Sequence, residues 1–278
     1  MEIEKNVILV TWDFSEKAED ALEHAVLAGK RLKNKVGLLH IVKKATEIQT
    51  ATERINGILA NKYGSEESKP LVFVKEGNIF TTISETANEM EATMVFMGTH
   101  GIKGMQKFLG SWALKVIAHT KVPFVVVQDK PKNDTYKNIV LPVTFRKENK
   151  ECINWALYFA KHFSSHFHIF KAKHNDPNFI KGIDSNIFFL RKFFTSKGIP
   201  FDVIEAKGED DYVIETIQFA MSCNADALMT VITKDIGFTD YVLGAHEQFI
   251  IANEANLPVI CINPRPPKFG GSFSASGG

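Results

Sequence analysis

The sequence predicts an α/β protein of two tandem doubly wound domains, each built on a five-stranded parallel sheet. Three observations carry this. Short apolar runs alternate with longer amphipathic segments, the pattern of parallel strands joined by right-handed helical crossovers. The strand runs are apolar almost without interruption, so helices must cover both faces of each sheet. The pattern also occurs twice: NVILVTWDFSEKAEDALEHA from Asn6 is answered by NIVLPVTFRKENKECINWAL from Asn138.

The elements follow in order. Val7 to Val10 is a short run rich in β-branched residues and reads as the first buried strand. A helix is expected after Ser15, which suits the N-cap. Its apolar and small positions are Ala18, Ala21, Leu22, Ala25, Val26, Ala28, Gly29 and Leu32, the stripe of a helix packed on one side. Val36 to Val42 is the second strand. A long polar helix is expected from Thr46 to Lys62, then a third strand from Leu71 to Val74, a helix after Asn78, and a fourth strand from Thr93 to Met97. A glycine-rich loop runs from Gly98 to Gly110. A short helix is expected near Ser111, and Val122 to Val127 is the fifth strand.

The second copy repeats this at an offset of about 131 to 135 residues, counted from the paired glycines and strands. Ile139 to Val143 matches the first strand. Cys152, Ala156, Phe159, Ala160 and Phe163 form a helical stripe, and Phe167 to Phe170 is the second strand. Ala225 to Val231 answers Ala92 to Gly98, and LPVICIN answers VPFVVVQ. The expected domains are residues 1–130 and 136–264. Between them DKPKNDTYKN, Asp129 to Asn138, suits an exposed joint. Residues 265–278 are expected to be a disordered tail that takes no part in function.

Bulk chemistry narrows the function. The 33 basic and 32 acidic residues leave a net charge of +1, so nothing favours nucleic acid or an anionic membrane. No stretch reaches the roughly 20 apolar residues of a membrane span, and the N-terminus lacks the order of a signal peptide. The three cysteines, Cys152, Cys223 and Cys261, form no CxxC pair. They read as small core residues in a reducing, cytoplasmic setting. There is no GxxxxGK[ST], GxSxG or HExxH motif.

The chemistry concentrates in MGTHGIKGMQKFLGSWALKVI. Gly98 ends a strand, Gly101 and Gly104 loosen the loop, and Gly110 and Ser111 open a helix. Glycines let backbone N–H groups approach an anion, and a helix start aims free N–H groups and its positive dipole end at the same place. Ser111, His100, Lys103 and Lys107 add donors or charge. The plainer reading is a tight strand-to-helix loop that needs glycine only to turn.

These residues resemble the universal stress protein family. ILVTWDFSEKAEDAL is similar to its first strand and aspartate-bearing turn, LLHIV to its second strand, and MGTHGIKGMQKFLGSWALKVI…VPFVVV to its glycine signature. The resemblance covers both repeats to about Asn263. It implies an adenine nucleotide alpha hydrolase-like fold that binds ATP across the carboxyl ends of strands one, two and four. By motif match Thr11, Trp12, Asp13 and Ile41 stand at adenine and ribose. Met97, Gly98, His100, Gly101, Gly110, Ser111 and Trp112 surround ribose and phosphates. Asp13 equally suits the cap of the following helix with Ser15, and the two roles are compatible. Mg²⁺ would be held by the phosphates. Gly101 and Gly110 enclose eight residues where the signature has nine, and Trp112 is bulkier than usual.

The second repeat departs further. Thr144 answers Asp13, Val231 and Lys234 answer Gly98 and Gly101, and Ala245 follows Gly244 in place of serine. Asp235, Asp240 and Glu247 add negative charge. One nucleotide, bound by the first repeat, is therefore expected. The implied role is a cytoplasmic stress-response or signalling sensor, not an enzyme. The two repeats are expected to pair as an intramolecular pseudo-dimer through edges such as Val122 to Val127, with a homodimer as a further form. The alternatives are a nucleotide-independent interaction module and, third, an adenylate-handling enzyme.

Outside this loop, His166 and His168 alternate along a strand and share a face, which suits a metal. No third ligand is near in sequence, with His162 and His174 the candidates to approach. Two partly exposed strand-end histidines are the plainer reading, and no metal is expected.

Overall fold

The computed structural model describes residues 5–63, 69–99, 117, 120–133, 136–232 and 249–263. In the first half, β1 (Ile8–Thr11), β2 (Val36–Val42), β3 (Leu71–Glu76), β4 (Met94–Gly98) and β5 (Phe124–Val127) alternate with α1 (Glu16–Leu32), α2 (Ile48–Lys62) and α3 (Ile79–Glu89). The second half supplies β6 (Asn138–Val143), β7 (His166–Lys171), β8 (Phe201–Glu205), β9 (Ala227–Val231) and β10 (Val259–Ile262). Its helices are α4 (Ile153–Phe163), α5 (Pro177–Lys197) and α6 (Tyr212–Ser222).

The ten strands of the described residues form one sheet in the order β3-β2-β1-β4-β5-β10-β9-β6-β7-β8. Pairing is parallel within each half. The halves meet where β5 and β10 pair antiparallel, with Val126 opposite Val259 and Phe124 opposite Cys261. The order reverses at β1/β4 in the first half and at β6/β9 in the second. Crevices open at such points, beyond the carboxyl ends of the strands.

Local chemistry explains the elements. The Ser15 hydroxyl accepts from the Ala18 N–H at 3.1 Å and caps α1. Ala18, Ala21, Ala25 and Ala28 are buried beneath that helix, and their small size lets it lie close to the sheet. Asn78 caps α3 by accepting from the Phe80 N–H at 2.9 Å. Two apolar layers result. One contains Ile8, Leu22, Phe96, Phe159 and Phe194. The other contains Leu9, Leu39, Met97, Ile217 and Leu228. The stretch NIFFLRKFF, Asn186 to Phe194, lies in α5, with Asn186, Ile187, Leu190 and Phe194 buried and Phe188 exposed.

Several expectations shift. The helix foreseen from Thr46 begins as a 3₁₀ turn, Ala45–Glu47, before α2. The stretch foreseen as an exposed joint is partly core: Tyr136 is buried against Phe159 and Phe163. Burial holds its hydroxyl well above the usual tyrosine range, so it stays a donor. It reaches His24 Nδ1 at 3.3 Å, while His24 Nε2 lies 3.0 Å from the Asp129 carbonyl. A carbonyl only accepts, so the neutral ring carries its proton on Nε2. The short helix expected near Ser111 lies outside the described residues.

The seam also carries reciprocal polar ties. Buried Gln128, just past β5, donates through Nε2 to the carbonyls of Ile251 at 3.2 Å and Asn253 at 3.1 Å. Asn263, just past β10, donates back to the carbonyls of Ile117 and Thr120. Each half thus satisfies backbone acceptors of the other. The cysteines are all free, and burial pushes the Cys152 thiol up to about 12.

Candidate functional site

The carboxyl ends of β1, β2 and β4 bring together Thr11, Trp12, Asp13, Ile41, Met97 and Gly98. The Trp12 N–H still pairs with the Leu39 carbonyl at 2.9 Å. The chain then leaves the sheet through Phe14, whose φ is +66°. This turn projects Asp13 outward. Its Oδ1 accepts from the Ser15 N–H at 3.0 Å and the Ser15 hydroxyl at 2.5 Å, a local arrangement typical of aspartate in turns. Asp13 therefore braces the cap rather than serving as the cap. Its second oxygen has no partner among the described residues and is exposed.

The other residues divide between the faces of the sheet. Ile41 and Met97 lie on the α3 side. Trp12 lies in the opposite core layer, 4% exposed, and its indole Nε1 has no partner among the described residues. Its carbonyl accepts from His40 Nδ1 at 2.6 Å. Trp12 thus shapes the turn from beneath and presents no planar face outward.

Two side chains escaped the sequence reading. Phe14 packs edge-on against His40 with centroids 4.8 Å apart, and the Arg54 guanidinium lies 3.9 Å from the Phe14 centroid. That contact is a cation–π pair and leaves a positive charge beside the crevice. The only sequence signal was an aromatic next to the aspartate.

Gly98 has a reason of its own. A Cβ there would lie 1.9 Å from the Lys17 carbonyl oxygen and 2.9 Å from the Ala18 nitrogen. The first turn of α1 crosses the end of β4 so closely that no side chain fits. His100, Gly101, Lys103, Lys107, Gly110, Ser111 and Trp112 lie outside the described residues.

At the equivalent place in the second repeat, a cavity of about 360 Å³ is lined by Thr144, Phe145, Arg146, Lys173, Tyr212 and Val231, among others. Its turn is closed on itself. Asn149 Oδ1 accepts from the Thr144 N–H at 3.0 Å and the Thr144 hydroxyl at 3.1 Å. Asn186 Nδ2 donates to the carbonyls of Thr144 at 2.8 Å and Arg146 at 2.9 Å. Tyr212 donates to the Phe170 carbonyl at 2.6 Å and accepts from the Val143 N–H at 2.9 Å. Where the first repeat offers a carboxylate, the second offers an internally bonded threonine. Lys234, Asp235, Asp240, Gly244, Ala245 and Glu247 lie outside the described residues.

The two strand histidines also acquire a neighbour. Asp202 on β8 faces His166 and His168. His162 packs on Tyr158 instead, and His174 packs on Phe179 and accepts from the Asp176 N–H. No helix among the described residues is long and apolar enough to cross a membrane.

The sequence model of the Universal stress protein family matches residues 5–128. No curated protein matches the sequence. Among solved structures, the chain is similar to a universal stress protein from Archaeoglobus fulgidus DSM 4304. The TM-score is 0.71 at 18% identity, over 94% of this chain and 99% of that one. A functionally unknown protein from Pseudomonas aeruginosa PAO1 gives a TM-score of 0.60 at 16% identity, over 94% of this chain and 93% of its own. Both likenesses concern the fold and extend across both halves. Residues 5–128 thus match the universal stress protein family, and the second half repeats the same fold.

Proposed function

We propose that this protein is a stress-related nucleotide-binding protein that holds one ATP in its first repeat and none in its second. The carrying observation is Asp13, an exposed carboxylate with one unengaged oxygen, set by the Phe14 turn where the strand order reverses. A carboxylate there accepts from ribose hydroxyls, while Ile41 and Met97 supply apolar surface for a base. The glycine loop and Ser111 would take the phosphates, with Mg²⁺ held on them. The internally bonded Thr144 and the bulk of Val231 support the asymmetry between repeats. We read the chain as a cytoplasmic binder that signals by conformation or partner choice, not as an enzyme. Its units are residues 1–130 and 136–264, paired within the chain across β5 and β10.

The test is mass spectrometry of small molecules released from the purified protein, followed by ATP titration calorimetry. One equivalent per chain, lost in Asp13→Ala and in Gly110→Val, is the expected result. Two equivalents would refute the asymmetry. The packing role of Gly98 favours one alternative, an interaction module whose loop is only a turn. No binding at millimolar ATP would establish that alternative instead.

A further inference from the structure

We propose that His166, His168 and Asp202 form a zinc site on the outer part of the second repeat, away from both crevices. β7 and β8 run parallel with His168 directly opposite Asp202. His166 stands two residues before His168 and so projects from the same face. The Asp202 oxygens lie 3.0 and 3.1 Å from His168 Nδ1, and Oδ2 lies 3.4 Å from His166 Nε2. One ligand atom from each residue falls within 4.8 Å of the other two.

These separations suit a tetrahedral ion. With zinc bonds of about 2.0–2.2 Å to imidazole nitrogen or carboxylate oxygen, neighbouring donors sit about 3.4 Å apart. The carboxylate–imidazole distances already approach that value. The remaining adjustment falls on His166, whose side chain is 38% exposed. Two imidazoles and a carboxylate are donors of intermediate softness, which suits zinc over calcium or magnesium. Asp202 and His166 border solvent, so water can fill the fourth position. The alternative is simple ion pairing of imidazolium with carboxylate. That leaves two rings, 4.8 Å apart between centroids, competing for one carboxylate, whereas a cation engages all three groups together. The site would clip the edge strand β8 to β7.

The experiment uses the full chain stripped of metal, with zinc titration calorimetry and visible absorption after cobalt(II) loading. One equivalent should bind, with the cobalt spectrum of a tetrahedral site. His166→Ala and Asp202→Ala alter partly exposed side chains. Each should keep the metal-free melting temperature and weaken zinc at least about tenfold, since even outer-shell partners of a metal account for that much. His162→Ala and His174→Ala should bind as the parent does. Absence of zinc uptake by the parent overturns the proposal. So does uptake that survives both His166→Ala and Asp202→Ala, or uptake that is lost in His162→Ala.

Discussion

Replacing Gly98 by alanine separates two explanations of one glycine. If the residue serves only phosphate, the ligand-free protein should tolerate a methyl group. The geometry demands otherwise, because the added Cβ would sit 1.9 Å from the Lys17 carbonyl oxygen and 2.3 Å from its carbon. Carbon and oxygen in contact need about 3.2 Å or more, so α1 or β4 must give by over about 1 Å. Backbone atoms close the space, so no rotamer relieves it. Overpacking a core typically costs about 1–3 kcal/mol, and a rigid helix against a central strand belongs at the upper end. A loss of about 3 kcal/mol would lower the melting temperature of a chain this size by about 6–12 °C. The assay is urea unfolding of ligand-free Gly98→Ala beside the parent, followed by fluorescence and circular dichroism. The midpoint should fall while the slope is retained. A difference within about 0.5 kcal/mol, the ordinary scatter of surface changes, would refute the packing explanation.

Two further predictions concern the seam. Gln128→Ala removes donors from two backbone carbonyls across the β5–β10 junction. It should destabilise by about 1–3 kcal/mol, measured by urea unfolding, and parent-like stability would show the tie to be idle. His24 makes the second prediction. Burial lowers its pKa, against the raising pull of the Asp129 carbonyl and of Asp20 and Glu23. Folding therefore favours the neutral ring. Its contribution is complete above the unfolded value of about 6.5 and is lost as pH falls through the lower folded pKa. Between pH 7.5 and 5 the parent should lose more stability than His24→Gln, and parallel profiles would sink the assignment.

How much the sequence revealed depended on burial. β2 was legible to its end residues because both faces are covered and charged residues flank it. The caps Ser15 and Asn78 were legible because capping is local. β8 escaped notice: it is an edge strand, and Asp202 and Glu205 interrupt its apolar pattern. Tyr136 was hidden in a polar stretch whose composition said loop. Motif matching singled out Thr11, Trp12, Asp13, Ile41 and Met97, but no motif states which face a strand end presents: Trp12 lies in one core layer, Ile41 and Met97 on the other. Gly98 was read from the sequence as part of a phosphate loop, whereas its packing requirement appears only where α1 crosses the end of β4. Asp202 lies 34 residues from His168, and pairing between strands, not spacing along the chain, makes them neighbours.

The antiparallel joint between β5 and β10 has a consequence for the molecule as a device. Strands in the two halves point in opposite directions, so the two crevices open on opposite rims of one continuous sheet. The strand ends that frame one crevice therefore lie on the opposite rim from those that frame the other. Each rim is free to change its chemistry without a clash at its counterpart, which is how a carboxylate turn and a sealed threonine turn coexist in one chain. The two rims meet only through the central seam, where Gln128 and Asn263 tie the halves together.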